Sequence, residues 1–232
     1  MSLIQQITYD FFHLLFPECC NACGTQLFYG EKSVCIKCLY DLPYTDFHLY
    51  PDNPAAKLFW GRIQCHEVMA LLYFKKGTKA QNLIHHLKYK GQTDVGFMLG
   101  RMIGEKLLST GSYQKTDLII PVPLHRKKEN SRGYNQSKCI ADGVARVLQL
   151  PVVTGLLTRQ KNTVTQTKKS RYNRFENMQS VFEIRQPCAL ENQHVLLIDD
   201  VITTGATLEA CGKILLDSGL KNLSIAAAAY AE

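Results

Sequence analysis

No apolar run in this 232-residue chain comes near the 18 or so residues that cross a bilayer, which excludes a membrane-spanning protein. The first ten residues, MSLIQQITYD, hold neither a basic start nor a continuous apolar stretch, so no secretory leader is expected. The G-x-x-x-x-G-K-[ST] signature of nucleoside triphosphate hydrolysis is absent. Acidic residues are scarce in one place. From His125 to Arg174 there are 12 basic and 2 acidic side chains, a local charge of +10, although the whole chain carries only +7. A surplus confined to about a fifth of the chain points to an anionic partner there rather than to a generally basic surface.

Apolar residues make up 46% and charged residues 20%. Such a chain can bury a sizeable core, which rules out a disordered polymer, a collagen-like repeat and a disulfide miniprotein. At about 150 residues per domain, the length suggests one full domain and a small appendage. The boundaries are expected at 1–45 and 60–232, with the Tyr-, Pro- and Asp-rich stretch from Leu39 to about Phe59 as a linker.

Five of the nine cysteines crowd into twenty residues. Without a leader the compartment is expected to be reducing, where clustered cysteines bind metal more often than they form disulfides. Cys20-Asn-Ala-Cys23 and Cys35-Ile-Lys-Cys38 form two C-x2-C turns eleven residues apart. Zinc takes four thiolates in a tetrahedron, and each turn can present two. Gly24 permits the tight backbone after the first pair. With four protein ligands no position stays open for water, so the site is expected to be structural. Cys19 could stand in for Cys20. A redox role is disfavoured by the presence of two pairs outside any βαβ unit. Before this knuckle, Ile4, Ile7, Phe11, Leu14 and Leu15 recur at helical spacing, which predicts an amphipathic docking helix. Its polar face lacks the lysine and arginine of a membrane-surface helix.

Beyond the knuckle, apolar runs alternate with helical periodicity. Val68–Phe74, Asp117–Val122, Ser180–Ile184, His194–Ile198 and Leu223–Tyr230 read as strands. Ala80 to Leu87 reads as a helix, as do a segment capped by Asp94 with Val95, Met98, Leu99, Met102, Ile103 and Leu107 inward, Gln136–Leu148, and Ala206–Asp217. A basic loop joins Val122 to Gln136. The alternation implies an α/β fold with a mostly parallel sheet flanked by helices. Ligands of such sheets bind beyond the carboxyl ends of the strands.

The segment Val195-Leu-Leu-Ile-Asp199-Asp200-Val-Ile-Thr203-Thr204-Gly205-Ala206-Thr207 falls at such an end. An apolar strand terminates in two carboxylates, and a small-residue loop then opens a helix. Thr203, Thr204 and Thr207 supply hydroxyls, Gly205 lets the backbone close in, and the free amides of a helix start favour an anion. The carboxylates suit sugar hydroxyls rather than phosphate. The pattern therefore asks for a sugar phosphate. An ordinary strand–loop–helix with a threonine cap is the plainer alternative, but one of two adjacent aspartates would then point into covered sheet.

These thirteen residues resemble the 5-phosphoribosyl 1-pyrophosphate (PRPP) motif of type I phosphoribosyltransferases. Pro121-Val-Pro-Leu-His-Arg-Lys-Lys-Glu-Asn-Ser-Arg132-Gly-Tyr-Asn-Gln136 further resembles the ComF family of competence-associated proteins. That family joins a four-cysteine knuckle to a phosphoribosyltransferase-like domain. Leu87-Lys88-Tyr89-Lys90-Gly91 and the Gln166 to Phe182 stretch are lesser marks of it. The resemblance implies that Asp199 and Asp200 hold the ribose hydroxyls and that Thr203, Thr204, Gly205, Ala206 and Thr207 hold the 5-phosphate. It places pyrophosphate near Arg126, Lys127 and Arg132, with Mg²⁺ retaining waters between pyrophosphate and ribose oxygens. It also assigns Arg159–Arg174 to a loop that closes over substrate. Lys88 and Tyr134 read as packing or surface residues.

Two functions follow. One is a competence protein that handles single-stranded DNA together with the uptake machinery, cytoplasmic or peripheral at the inner face of the membrane. Its basic segment with Tyr134, Tyr172 and Phe175 suits a strand-binding groove. The other is an active phosphoribosyltransferase with an unidentified acceptor, a reaction that needs positioning and charge neutralisation more than a covalent residue.

Overall fold

A computed structural model describes residues 17–111, 115–159, 182–185 and 190–231. The amphipathic helix expected over Ile4–Leu15 and nearly all of the closing loop expected over Arg159–Arg174 lie outside these residues, as do Tyr172 and Phe175. Among the described residues no helix is long and apolar enough to cross a membrane.

The core is a four-stranded parallel sheet in the order β1-β6-β5-β2, from β1 (Glu67–Phe74), β2 (Leu118–Pro121), β5 (His194–Ile202) and β6 (Asn222–Ala231). The Pro151–Val153 backbone adds to its edge, where the Ile119 amide donates to Pro151 O at 2.9 Å. β6 is central because its side chains are small. Ala226 to Ala229 are fully buried between β1 and β5, and helices cover both faces of a sheet so placed. A two-stranded antiparallel hairpin, β3 (Leu157–Arg159) with β4 (Phe182–Ile184), stands apart from it.

Among the described residues the α-helices are α1 (Ile36–Tyr40), α2 (Pro54–Lys57), α3 (Lys79–Tyr89), α4 (Thr93–Thr110), α5 (Arg126–Arg132), α6 (Gln136–Leu148) and α7 (Ala206–Asp217). Thr78 caps α3 on the Gln81 amide, and its apolar stripe Ala80, Leu83, Ile84 and Leu87 is buried as the periodicity predicts. Asp94 does not cap α4. Gln92 precedes the helix, and Asp94 lies in the first turn, where its charge favours the helix dipole.

Two segments differ from the sequence reading. The basic loop after β2 contains the helix α5. His125 caps it through Nδ1, which accepts from the Lys127 amide at 3.2 Å, and Gly133 closes it. Arg, Lys and Glu favour a helix when they are not consigned to a loop for their charge. The stretch read as a linker is an ordered strap on the edge of the sheet. Thr45 donates to the Ala70 carbonyl, and the Asn53 amide donates to Val68 O and Tyr50 O, both at 2.8 Å, while its oxygen caps α2. Both side chains are buried, so the hydrogen bonds offset the cost of taking polar groups out of water.

Candidate functional site

The knuckle gathers the four expected thiols. The Sγ atoms of Cys20, Cys23, Cys35 and Cys38 lie within 4.8 Å of one another, with Cys23 and Cys35 3.9 Å apart. A tetrahedron with metal–sulfur bonds of about 2.3 Å needs edges of about 3.8 Å, so the four can hold a metal ion. Cys19 is outside the cluster. It is exposed, and its thiol faces Pro17 O at 3.5 Å. The Thr25 hydroxyl and amide pull the Cys23 thiol down to about 6, whereas burial pushes Cys38 up. Glu31 ties the knuckle together by accepting the amides of Phe28 and Ile36, each at 2.8 Å. The whole unit docks on α3, where the Asn82 amide donates to Ala22 O at 2.8 Å and Lys79 pairs with Asp41.

The second site forms at the end of β5. Asp199 Oδ1 accepts from the Ser137 hydroxyl at 3.0 Å and from the Asp200 amide at 2.8 Å. Ser137 is delivered by Asn135, which caps α6 on the Ser137 amide and ties it to β2 through Val122 O. Burial, and next the neighbouring Asp200 charge, raise the Asp199 carboxyl to about 7; the Asp200 amide and Ser137 oppose them. Asp200 Oδ1 instead meets Lys88 Nζ at 3.0 Å. Reading Lys88 as packing or surface misses this. Its partner lies 112 positions away along the chain, so no local pattern could disclose it. Tyr134 is a packing residue, with its hydroxyl donating to the Leu87 carbonyl.

After the carboxylates the chain turns through Thr203, Thr204 and Gly205 into α7. Gly205 has φ +74, and a Cβ there would sit 3.0 Å from the buried Phe59 ring, so only glycine fits. Thr203 and Thr204 are exposed and Thr207 is half-buried. No side chain caps α7. The Thr204 hydroxyl reaches the Ala206 amide at a long 3.4 Å, and the Thr207 and Leu208 amides have no acceptor among the described residues. This leaves donors and positive potential facing outward at the turn. The turn is held from behind. Arg62 donates to Thr204 O at 3.1 Å and to Leu58 O at 2.9 Å, and pairs with the buried Glu209. Phe59 and Arg62, at and just past the supposed linker, thus support the loop, and nothing local in the sequence marks them for that.

The basic residues divide. Arg126 lines a cleft of about 1000 Å³ between α5 and the β3–β4 hairpin, together with Asn135, Lys138, Arg159 and Arg185. Lys127 is exposed beside it, and Arg132 is not part of the cleft's lining, its guanidinium lying 5.6 Å from the Tyr89 ring centre. Gln136, 2% exposed, carries an amide nitrogen with no partner among the described residues, a buried donor that is costly unless water or a ligand accepts from it.

The phosphoribosyl transferase domain family matches residues 136–232. A DNA utilization protein, YhgH, of Escherichia coli O157:H7 is 30% identical over 146 residues, which are 62% of this chain and 63% of that protein. Competence protein F of Haemophilus influenzae is 30% identical over 147 residues, 62% of this chain and 64% of its own. Competence protein ComFC of Bacillus subtilis is 31% identical over 102 residues, 44% and 39%. The matched segment thus spans less than two thirds of each relative. The domain match and these relatives agree in one respect: the chain is similar to competence and DNA utilization proteins over part of its length and, over residues 136–232, to the phosphoribosyl transferase domain.

Proposed function

We propose that the turn after β5 seats PRPP and that the chain serves the handling of incoming DNA in competence. The observation that carries the reading is the juxtaposition of the Asp199–Asp200 pair with a helix start whose Thr207 and Leu208 amides lack acceptors among the described residues. In it Asp199 and Asp200 accept the ribose hydroxyls, and Thr203 to Thr207 bind the 5-phosphate. Arg126, Lys127 and Arg132 neutralise pyrophosphate, which arrives with Mg²⁺ and its waters. Zinc fits the four-thiol knuckle as a structural ion, because thiolate sulfur at tetrahedral spacing is its preferred environment. The role in DNA uptake comes from the names of the competence relatives, and the local charge of +10 supports an anionic strand as partner.

PRPP with Mg²⁺ at a hundred times its dissociation constant should stabilise the chain by about 2.7 kcal/mol, a rise of roughly 5–10 °C in melting temperature. Asp199→Asn/Asp200→Asn should show no such rise, and a wild-type chain indifferent to PRPP sinks the reading. Asp199→Asn alone carries a second signature. A carboxyl raised from 3.8 to about 7 on folding contributes stability below pH 4 that is lost as pH climbs through 7. Asparagine cannot ionise, so this variant should melt like wild type near pH 4 and higher than wild type at pH 8, by on the order of 2 kcal/mol. More stable and unable to bind is the mark of a residue kept for its ligand.

For the DNA role, a fluorescent single-stranded oligonucleotide should bind with an affinity that falls steeply with salt. Arg126→Ala/Lys127→Ala/Arg132→Ala should weaken it by at least about tenfold, and unchanged affinity would put the strand elsewhere. The second reading, transfer of the phosphoribosyl group to an acceptor, is favoured by the cleft beside Arg126, which has room for one. Pyrophosphate released from PRPP in the presence of a metabolite pool separates the two.

A further inference from the structure

Lys88 is the cation that meets the aspartate pair, and it comes from a different part of the chain. It lies in the last turn of α3, and its Nζ sits 3.0 Å from Asp200 Oδ1. The two side chains are 26% and 16% exposed. They are covered enough for the attraction to exceed that of a surface pair, and open enough for a ligand to reach. The residues on either side of Lys88 are bound to the segment proposed for pyrophosphate. Leu87 takes the Tyr134 hydroxyl on its carbonyl, and Tyr89 lies under the Arg132 guanidinium. The Leu87 side chain is fully buried and would collide with any Cβ at Gly96 on α4. The backbone carrying Lys88 is therefore fixed, while its four-carbon stem leaves the ammonium free to change partners.

An empty seat and a filled one make opposite demands on Asp200. Without ligand, a second carboxylate beside Asp199 needs a counter-ion, and Lys88 supplies it. A sugar whose hydroxyls donate to Asp200 competes with the ammonium for the same oxygens. The ammonium then requires another anion nearby, or the exchange costs the desolvation of an unpaired charge. A group on C1 of the sugar, next to the 2-hydroxyl, is close enough to be that anion, whereas the 5-phosphate is held at the other end by the α7 turn. We infer that Lys88 makes the seat selective for a pentose 5-phosphate bearing an anionic group at C1 over the same sugar with a bare C1 hydroxyl. The inference rests on the sugar-phosphate reading above and adds a specificity residue to it. Lys88 is the counter-ion of the empty seat and a ligand of the C1 substituent in the filled one.

Calorimetric titration of the full chain with PRPP and with ribose 5-phosphate, both with Mg²⁺, tests it. Wild type should prefer PRPP by about 10- to 100-fold, the size of a charge-assisted contact or two. Lys88→Met should lose most of that preference, through weaker binding of PRPP. Lys88→Arg should restore the larger part, which shows that charge rather than packing is responsible. Lys90→Met, an exposed neighbour on the same turn, should keep the wild-type ratio. A wild-type ratio in Lys88→Met overturns the inference while leaving the seat intact, and so does an equal loss of both ligands, which would make Lys88 a purely structural support. Wild type that binds neither sugar removes the seat itself, and the selectivity with it.

Discussion

Cys35→Ser/Cys38→Ser should yield a chain that binds no zinc and does not hold its fold at 25 °C. A structural zinc site contributes about 10–16 kcal/mol, against a total stability of about 5–15 kcal/mol for a typical domain. The loss would not stay in the knuckle. Cys20, Ala22 and Cys38 are buried in the same apolar cluster as Leu83 and Leu87 of α3. Ala22, inside the first C-x2-C turn, also takes the Asn82 amide of α3 on its carbonyl. Without metal, the four sulfurs pack together with no ion to hold them, and the turn loses the constraint that aims the Ala22 carbonyl. The far end of α3 carries Lys88, so a disordered knuckle reaches the strand-end seat through one helix of eleven residues. Elemental analysis should find close to one zinc per wild-type chain, and dialysis against a strong chelator should lower the melting temperature by more than about 15 °C. A metal-free chain that melts with wild type would remove zinc from the account.

The parallel sheet and the carboxylate-to-threonine turn could be read from the sequence because both are local. A strand followed by small residues and a helix start is one continuous stretch of chain, and Ala226–Ala229 announce a crowded strand by composition alone. The four-cysteine cluster was legible for the same reason, and only the choice between Cys19 and Cys20 needed coordinates. What escaped depends on residues far apart in sequence. Lys88 and Asp200, and Arg62 and Glu209, are joined by the folded sheet rather than by spacing. α5 escaped for a different reason. Its charge suggested an open loop, although Arg, Lys and Glu are good helix formers and Gly133 stands where a helix would end. The strap from Thr45 to Asn53 was hidden by its polar, proline-bearing composition, since the buried hydrogen bonds that order it leave no periodic trace.

The glycines of α4 and α6 had a trace, and it leads to the second large effect. Gly96, Gly100 and Gly104 recur every fourth residue along the inner side of α4, the side on which Leu99 and Ile103 were expected to face the core. They let α6 approach until backbones touch. A Cβ on Gly100 would lie 2.0 Å from the Ile140 carbonyl oxygen, and one on Gly143 would lie 2.1 Å from the Phe97 carbonyl oxygen. By helix propensity alone Gly100→Ala should stabilise by about 1 kcal/mol. Packing demands the reverse, because a backbone carbonyl has no rotamer to escape into and the helices must part by more than about 1 Å. Gly100→Ala should therefore cost about 3 kcal/mol or more net, a fall of roughly 6–12 °C in melting temperature. Gly104→Ala meets the Val147 Cβ at 2.8 Å and the nearest backbone atom, the Val144 carbonyl oxygen, only at 3.2 Å, and should cost less. A Gly100→Ala chain that melts at or above wild type would mean that the helices do not pack this closely. The consequence for the site is direct, since α6 begins at Gln136 and its second residue, Ser137, hydrogen-bonds Asp199. Pushing α6 off α4 draws that hydroxyl away from the carboxylate and takes away one of the contacts that stabilise its ionised form, so a helix–helix substitution remote from the seat should weaken PRPP binding as well.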